Sequence, residues 1–186
     1  NPMTAMAFIL LARKGKHRAM VNNAAASSLG KMLIRICLLK KIPLINIVRK
    51  KEQIGELKNL GATYVLNSSD ENFETELKHV AAELNATLFL DAVTGSQTSL
   101  LLRAAPAGTT LVAYARLSGE DMAIDPGYLI RENKRIIPFQ LGNWLQEKNL
   151  VFKLKFISRV KHYLGQELAS HIRHSTPLAK TESALA

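Results

Sequence analysis

The chain has 186 residues, a formal net charge of +10 and a single cysteine, Cys37, a length that buries one good core with little to spare. Its 47% hydrophobic and 22% charged content is ordinary for a globular domain, no apolar run approaches the roughly 20 residues of a membrane helix, and the apolar residues 5–12 have no small-residue cleavage site behind them, so neither an anchor nor a signal peptide is expected there. One cysteine rules out an internal disulfide and fits a reducing compartment.

In chain order, residues 2 to about 13 predict a helix with Pro in its first turn, where the missing N–H costs nothing. After the basic turn RKGKHR, the segment RAMVNN reads as a short apolar strand. SSLGKMLIRICLLKK then sets Leu29, Met32, Leu33, Ile36 and Cys37 at helical spacing on one face, where Cys37 reads as core. IPLINIV is too continuously apolar for a half-exposed strand and predicts one buried on both faces. KKEQIGELKNLGA predicts a helix closed by Gly61 at C′. TYVLN is a third strand, and SSDENFETELKHVAAELN a helix with a Ser/Asp cap and an acidic first turn. ATLFLDAV, TLVAYA and RIIPFQL supply strands four to six, with the helix SQTSLLLRAA between four and five and a polar loop before six. Strict alternation of strand and helix implies an α/β fold: a doubly wound, parallel six-stranded sheet of Rossmann type, with right-handed crossovers. Ligands of such sheets bind outside the carboxyl ends of the strands.

Four loops then share one rim: NNAAASS after strand one, VRKK after strand two, DAVTG after strand four and YARLSG after strand five. Small residues suit the first loop, because a pyrophosphate must approach the backbone of a helix N-terminus closely. Ala24, Ala26 and Ser27 meet that demand without glycine's positive-φ freedom, and Ser27 and Ser28 add hydroxyls. A plain connection with Ser as N-cap accounts for the serines but not for the alanines. At the end of strand two, about 20 residues after the turn, an NAD site places a carboxylate for the ribose 2′-hydroxyl. Here Arg49 stands 19 residues after Gly30 and is followed by Lys50 and Lys51. A guanidinium can hold a 2′-phosphate bidentately and a lysine adds a point charge. Cations are disfavoured at a helix N-terminus, so an anionic ligand is implied, and the expected cofactor is NADP(H).

Residues 1–60 carry 12 Lys and Arg against 2 Asp and Glu, residues 61–130 carry 3 against 9, and residues 131–186 carry 10 against 4. Such a basic excess is also the footprint of a nucleic-acid binder. No interleaved aromatics, RNA-binding motif or zinc finger accompany it, so nucleic acid is not an expected partner, and a basic seat for an anionic cofactor plus solvated lysines is the preferred reading. Asp91 ends strand four, where a carboxylate either touches a ribose or caps the next turn. His171 and His174 read as a solvated pair rather than metal ligands, and no metal is expected. Trp144 follows a loop and packs either on the cofactor side or in a subunit contact.

NPMTA, NNAAASSLG, INIVRKKEQIGELKNLGATYVLNSS, LFLDAVTG, LVAYARLSG and FQLGNWL, in this order and spacing, resemble the corresponding segments of medium-chain dehydrogenase/reductases. The nearest resemblance is to the quinone oxidoreductase and trans-2-enoyl thioester reductase branch, which lacks catalytic zinc. It implies the nucleotide-binding domain of an NADPH-dependent oxidoreductase that transfers hydride to a quinone or to the activated C=C of a 2-enoyl thioester. A GroES-like catalytic domain would hold the small-molecule substrate, so this chain alone is expected not to catalyse, and its Asn1 start is expected of a piece of a longer protein. The resemblance implies that Ala26, Ser27, Ser28 and Leu29 line the pyrophosphate and that Arg49, Lys50 and Lys51 hold the adenosine 2′-phosphate. It places Tyr114, Ala115, Arg116 and Leu117 beside the nicotinamide riboside, the backbone of Phe139, Gln140 and Leu141 on the carboxamide, and Asn1 facing the cofactor at the domain junction. Three positions depart from the family pattern: Ser28 stands where glycine is common, Arg116 interrupts a Gly-Gly-Met-like loop, and Gln140 replaces a frequent Trp. The expected organisation is a nucleotide-binding domain over residues 1–165 and a truncated return segment over residues 166–186. The resemblance also implies a homodimer through strand six, around residues 136–141, with Pro138 removing one donor. The expected setting is cytoplasmic, or the mitochondrial matrix for a eukaryotic enoyl reductase. The alternative on the same fold is a non-catalytic nucleotide sensor or RNA-binding protein.

Overall fold

Strands β1 (Ala19–Asn22) and β2 (Leu44–Val48) are buried at every position, which requires helices on both faces of the sheet they share. The computed structural model describes residues 1–165 and Leu168 and meets that requirement. With β3 (Tyr64–Asn67), β4 (Ala86–Asp91), β5 (Thr110–Ala113) and β6 (Arg135–Pro138), the strands form one parallel sheet in the order β3-β2-β1-β4-β5-β6. The order reverses between β1 and β4, so the loops leaving their carboxyl ends diverge and open a crevice between them.

Side chains alternate across the strands, and the core divides accordingly. Met20, Leu88, Leu90 and Val112 face a layer built on α1 (Pro2–Lys14) and α2 (Ser28–Lys40), while Val21, Ile45, Ile47, Phe89 and Leu111 face α4 (Phe73–Glu83) and α5 (Ser96–Ala104). The face expected of α2 is the one that packs, with Leu29, Met32, Leu33, Ile36 and Cys37 all buried. Helix α3 (Glu52–Asn59) ends at Gly61 in the left-handed region, φ 91°, as the C′ glycine requires. The cap expected of α4 is not made. The helix starts one residue after Asn72, without a side-chain cap, and Asp70 instead accepts a hydrogen bond from Asn67 Nδ2 at 3.0 Å, tying the preceding turn.

A short α6 (Gly127–Ile130) interrupts the polar loop, and two helices for which the sequence reading assigned no element follow β6: α7 (Leu141–Gln146) and α8 (Leu150–Tyr163). They close the α1 face through a chain of rings. Phe139 stands 4.9 Å from Phe8 and 6.1 Å from Trp144, and Trp144 stands 5.7 Å from Phe152 and 5.4 Å from Phe156. Trp144 therefore packs within the chain, between α7 and α8. The return segment over residues 166–186, Leu168 apart, lies outside the described residues, as do His171 and His174. No helix among the described residues is long and apolar enough to cross a membrane.

Cys37 is 1% exposed, and burial pushes its thiol up to about 12. Only the thiolate attacks a disulfide reagent. At mildly alkaline pH the native chain should therefore give no thiol titre with dithiobis(nitrobenzoate), and a full titre once denatured. A full titre on the native chain would mean that α2 does not pack as described.

Candidate functional site

The loop from β1 to α2 is built from the smallest side chains and uses them fully. Ala24 itself adopts the left-handed conformation, φ 50°, which corrects the expectation that these alanines forgo glycine's freedom. Ala25 is buried and donates its N–H to the Ile47 carbonyl at 3.1 Å, anchoring the loop to β2. Ser27 is the N-cap of α2: its Oγ accepts from Gly30 N at 3.1 Å. A Cβ at Gly30 would lie 2.2 Å from the Ala25 carbonyl oxygen, so a side chain there would push α2 off the loop. With Ser27 spent on Gly30, the first-turn N–H groups of Ser28 and Leu29 have no acceptor within the helix.

A cleft of about 720 Å³ lies over this helix start, within the roughly 300–1,000 Å³ range of small-molecule sites. Ala24 to Ser27 form its floor, Val48, Arg49, Gln53 and Ser68 one wall, and Val93, Gln97, Leu117, Ser118 and Glu120 the other. Gln53 Oε1 accepts from the backbone N–H groups of Arg49 (3.3 Å) and Lys50 (3.1 Å), and the Arg49 carbonyl accepts from Ser69 Oγ at 3.0 Å. The backbone of Arg49 is thus fixed while its guanidinium forms no ion pair among the described residues. Sequence reasoning missed Gln53, although a Gln four residues after a strand-ending Arg is the local signal of this back-reaching cap.

Asp91 is fully buried and caps the turn. It accepts from Asn23 Nδ2 at 2.6 Å, Val93 N at 2.9 Å, Thr94 N at 2.8 Å and Thr98 Oγ1 at 2.5 Å. Asn23 completes the tie, its Oδ1 accepting from Ala92 N at 2.7 Å and its Nδ2 donating also to Gln97 Oε1 at 3.0 Å. Its one signal in the sequence is an Asn pair at the end of an apolar strand.

The expected site residues fall into two groups. Ala26, Ser27, Arg49 and Leu117 line the cleft. Ser28, Lys50, Lys51, Ala115 and Arg116 are exposed but do not line it, and the Leu29 side chain is in the core. Arg116 pairs with Asp121 at 2.8 Å, within its own loop. The second group lies on the α1 side, away from the cleft. The Tyr114 ring stands 5.0 Å from Phe8, its hydroxyl 3.5 Å from Asn22 Oδ1, and burial together with the Asp91 charge pushes the phenol above its ordinary range. Phe139 is buried, Gln140 caps α7 by accepting from Asn143 N at 2.7 Å, Leu141 begins that helix, and Asn1 is the exposed N-cap of α1. The basic excess is not gathered here either. Among the cations of residues 1–60 only Arg49 lines the cleft, whereas Arg13, Lys14, Lys16 and Arg18 precede β1 and Lys40 and Lys41 end α2, at the opposite end of the sheet.

The sequence matches the zinc-binding dehydrogenase family model over residues 28–155. No group of three His, Cys, Asp or Glu among the described residues is placed to hold a metal ion. The chain is 30% identical over 131 residues to the mitochondrial enoyl-[acyl-carrier-protein] reductase of Mus musculus, covering 68% of this chain and 35% of that protein. With the Xenopus tropicalis enzyme of the same name it shares 28% over 133 residues, covering 69% and 38%. It superposes on a candidate NADPH:quinone reductase from Mesorhizobium loti with a TM-score of 0.88 and 31% identity, over 97% of this chain and 52% of that one. It also superposes on an enoyl thioester reductase from Candida tropicalis with a TM-score of 0.78 and 20% identity, over 99% and 55%, a likeness of fold. The chain spans between about a third and about half of the length of these proteins.

The contact between Gly30 and Ala25 is testable. Gly30→Ala should lower stability by about 1–3 kcal/mol, the ordinary cost of overpacking a close contact, read as a lower urea midpoint at unchanged slope. An unchanged midpoint would mean that α2 can withdraw from the loop freely.

Proposed function

We infer that this chain, which belongs to the zinc-binding dehydrogenase family, is the NADP(H)-binding domain of an oxidoreductase that transfers hydride to a quinone or to the activated C=C of a 2-enoyl thioester. The observation that carries this reading is Arg49: an unpaired guanidinium at the carboxyl end of β2, lining a cleft that begins over an open helix N-terminus. A pyrophosphate fits the N–H groups of Ser28 and Leu29 above Ala26 and Ser27, and the adenosine 2′-phosphate fits Arg49, with Lys50 and Lys51 adding positive charge nearby. Tyr114, Ala115, Arg116 and Leu117, with the backbone of Phe139, Gln140 and Leu141 and with Asn1, belong in this reading to the nicotinamide end. The cofactor supplies the hydride, and the protein binds and orients it. Residues 1–165 form the domain, and the small-molecule substrate is held by the part of a longer protein that this chain does not span. A cytoplasmic or mitochondrial-matrix setting suits such an enzyme, and the names of the mitochondrial relatives support the latter.

A charge-assisted, bidentate bond contributes roughly 1.5–3 kcal/mol, so Arg49→Ala should weaken NADPH about ten- to a hundredfold and leave NADH unchanged. Calorimetric titration of both cofactors into the wild type and the variant checks this. Equal losses of NADH and NADPH, or a wild type that prefers NADH, would overturn the assignment of the 2′-phosphate to Arg49.

The same reading includes a homodimer. Strand β6 is the last strand of the sheet and carries exposed residues at both ends, an edge that natural proteins cover or pair. A Candida tropicalis neighbour is a heterodimer, which supports assembly of two chains. Pro138 closes the strand and removes one donor from it. Sedimentation at micromolar concentration should return a dimer, and a monomer would overturn this part of the reading.

A further inference from the structure

The cleft contains one feature that phosphate binding does not call for. Glu120 is the only carboxylate among the described residues that line it. It stands on the wall formed after β5, separated from Arg49 after β2 by the two strands between them. The loop that carries it is fixed: Leu117 N donates to the Ala92 carbonyl at 3.0 Å, Ser118 N to the Val93 carbonyl at 2.9 Å and Glu120 N to Ser118 Oγ at 3.1 Å. Room for the side chain comes from Gly95 at φ 63°, where a Cβ would lie 2.7 Å from Glu120 Oε2. Yet the carboxylate is only loosely engaged, with Oε2 at 3.5 Å from Ser96 N and 3.4 Å from Ser96 Oγ, and Oε1 has no partner among the described residues.

A carboxylate repels phosphate, so the part of an NADP(H) molecule that meets Glu120 must be uncharged and carry a hydrogen-bond donor. With the 2′-phosphate on Arg49, the vicinal 3′-hydroxyl stays at that wall, and the base is the part of the adenosine half that crosses the cleft. Its only donor is the exocyclic amine. Val48 and Val93 supply apolar surface for the faces of a purine. We propose that Glu120 accepts a hydrogen bond from the adenine exocyclic amine and makes the cleft selective for adenine over a 6-oxopurine. The inference rests on the NADP(H) reading above. A hypoxanthine ring presents a carbonyl oxygen at the same place, and two acceptors facing each other repel.

The test titrates the whole chain with NADPH, with its reduced hypoxanthine analogue and with 2′,5′-ADP, in the wild type, Glu120→Gln and Arg49→Ala. The wild type should bind NADPH about tenfold more tightly than the hypoxanthine analogue, the value of one hydrogen bond to a charged group. Glu120→Gln, whose amide can donate to a 6-oxo group, should bring the two within about twofold and weaken 2′,5′-ADP as much as NADPH. Arg49→Ala should weaken both dinucleotides alike. Equal wild-type affinities, or a preference undiminished in Glu120→Gln, would overturn the assignment while leaving the cofactor reading intact. Unchanged 2′,5′-ADP binding in Glu120→Gln would also overturn it, by moving Glu120 to the nicotinamide side. Failure of the wild type to bind either dinucleotide would overturn the cofactor reading and this inference with it.

Discussion

The rim of this sheet depends on one buried carboxylate. An isolated charge away from water costs far more than a small domain can spare, so a buried Asp persists only where donors surround it. Asp91 is met by four, from Asn23, Val93, Thr94 and Thr98. Since Asn23 belongs to the loop after β1, Val93 and Thr94 to the loop after β4 and Thr98 to α5, satisfying the charge joins the two strands at the point where the sheet order reverses. Thr94 and Gly95 are thereby held at positive φ, 65° and 63°. Gln97, itself bonded to Asn23, is turned into the cleft wall. Floor and wall are set by the same network.

The floor reaches its shape without the usual glycines. An L-residue in the left-handed region costs about 1–2 kcal/mol, and Ala24 accepts that cost at φ 50° where a glycine would escape it. The one glycine retained, Gly30, stands where no other residue fits, because the Ala25 carbonyl occupies the space of its Cβ. Conformational freedom can be replaced by strain that the surroundings hold in place. Space cannot be replaced.

The two ends of the expected cofactor site are built differently. Over the start of α2 the loops leave an open cleft. On the α1 side, Phe8, Tyr114, Phe139 and Trp144 pack ring against ring and fill the corresponding space. Aromatic contacts of this kind contribute beyond their buried area, which suits this side to support rather than to enclose. Arg13, Lys14, Lys16, Arg18, Lys40 and Lys41 stand at the far end of the sheet, while Arg49 lines the cleft with Glu120 opposing it across the opening.

The amino-acid sequence by itself determined the alternation of strands and helices, the parallel sheet and the place of Arg49. Those follow from local facts: continuously apolar runs, apolar residues at a period of 3.6, a glycine after α3, and a fixed distance along the chain from the small-residue loop to the end of β2. The spacing of Phe152, Phe156 and Val160 is helical too, a signal of α8 that sequence reasoning missed, whereas α7 is too short for any period to show. Only the tertiary structure decided that Asp91 caps a turn rather than reaching outward, that Asp70 ties a turn instead of capping α4, and that Glu120 enters the cleft. The Asp70 tie to Asn67 spans three residues and replaces a cap the local pattern favoured, while the other two depend on a partner brought near by folding. Asn23 meets Asp91 across 68 residues and Glu120 reaches Ser96 across 24. A side chain's hydrogen-bonding capacity is written in its type, but which groups lie within its reach is a property of the packed chain.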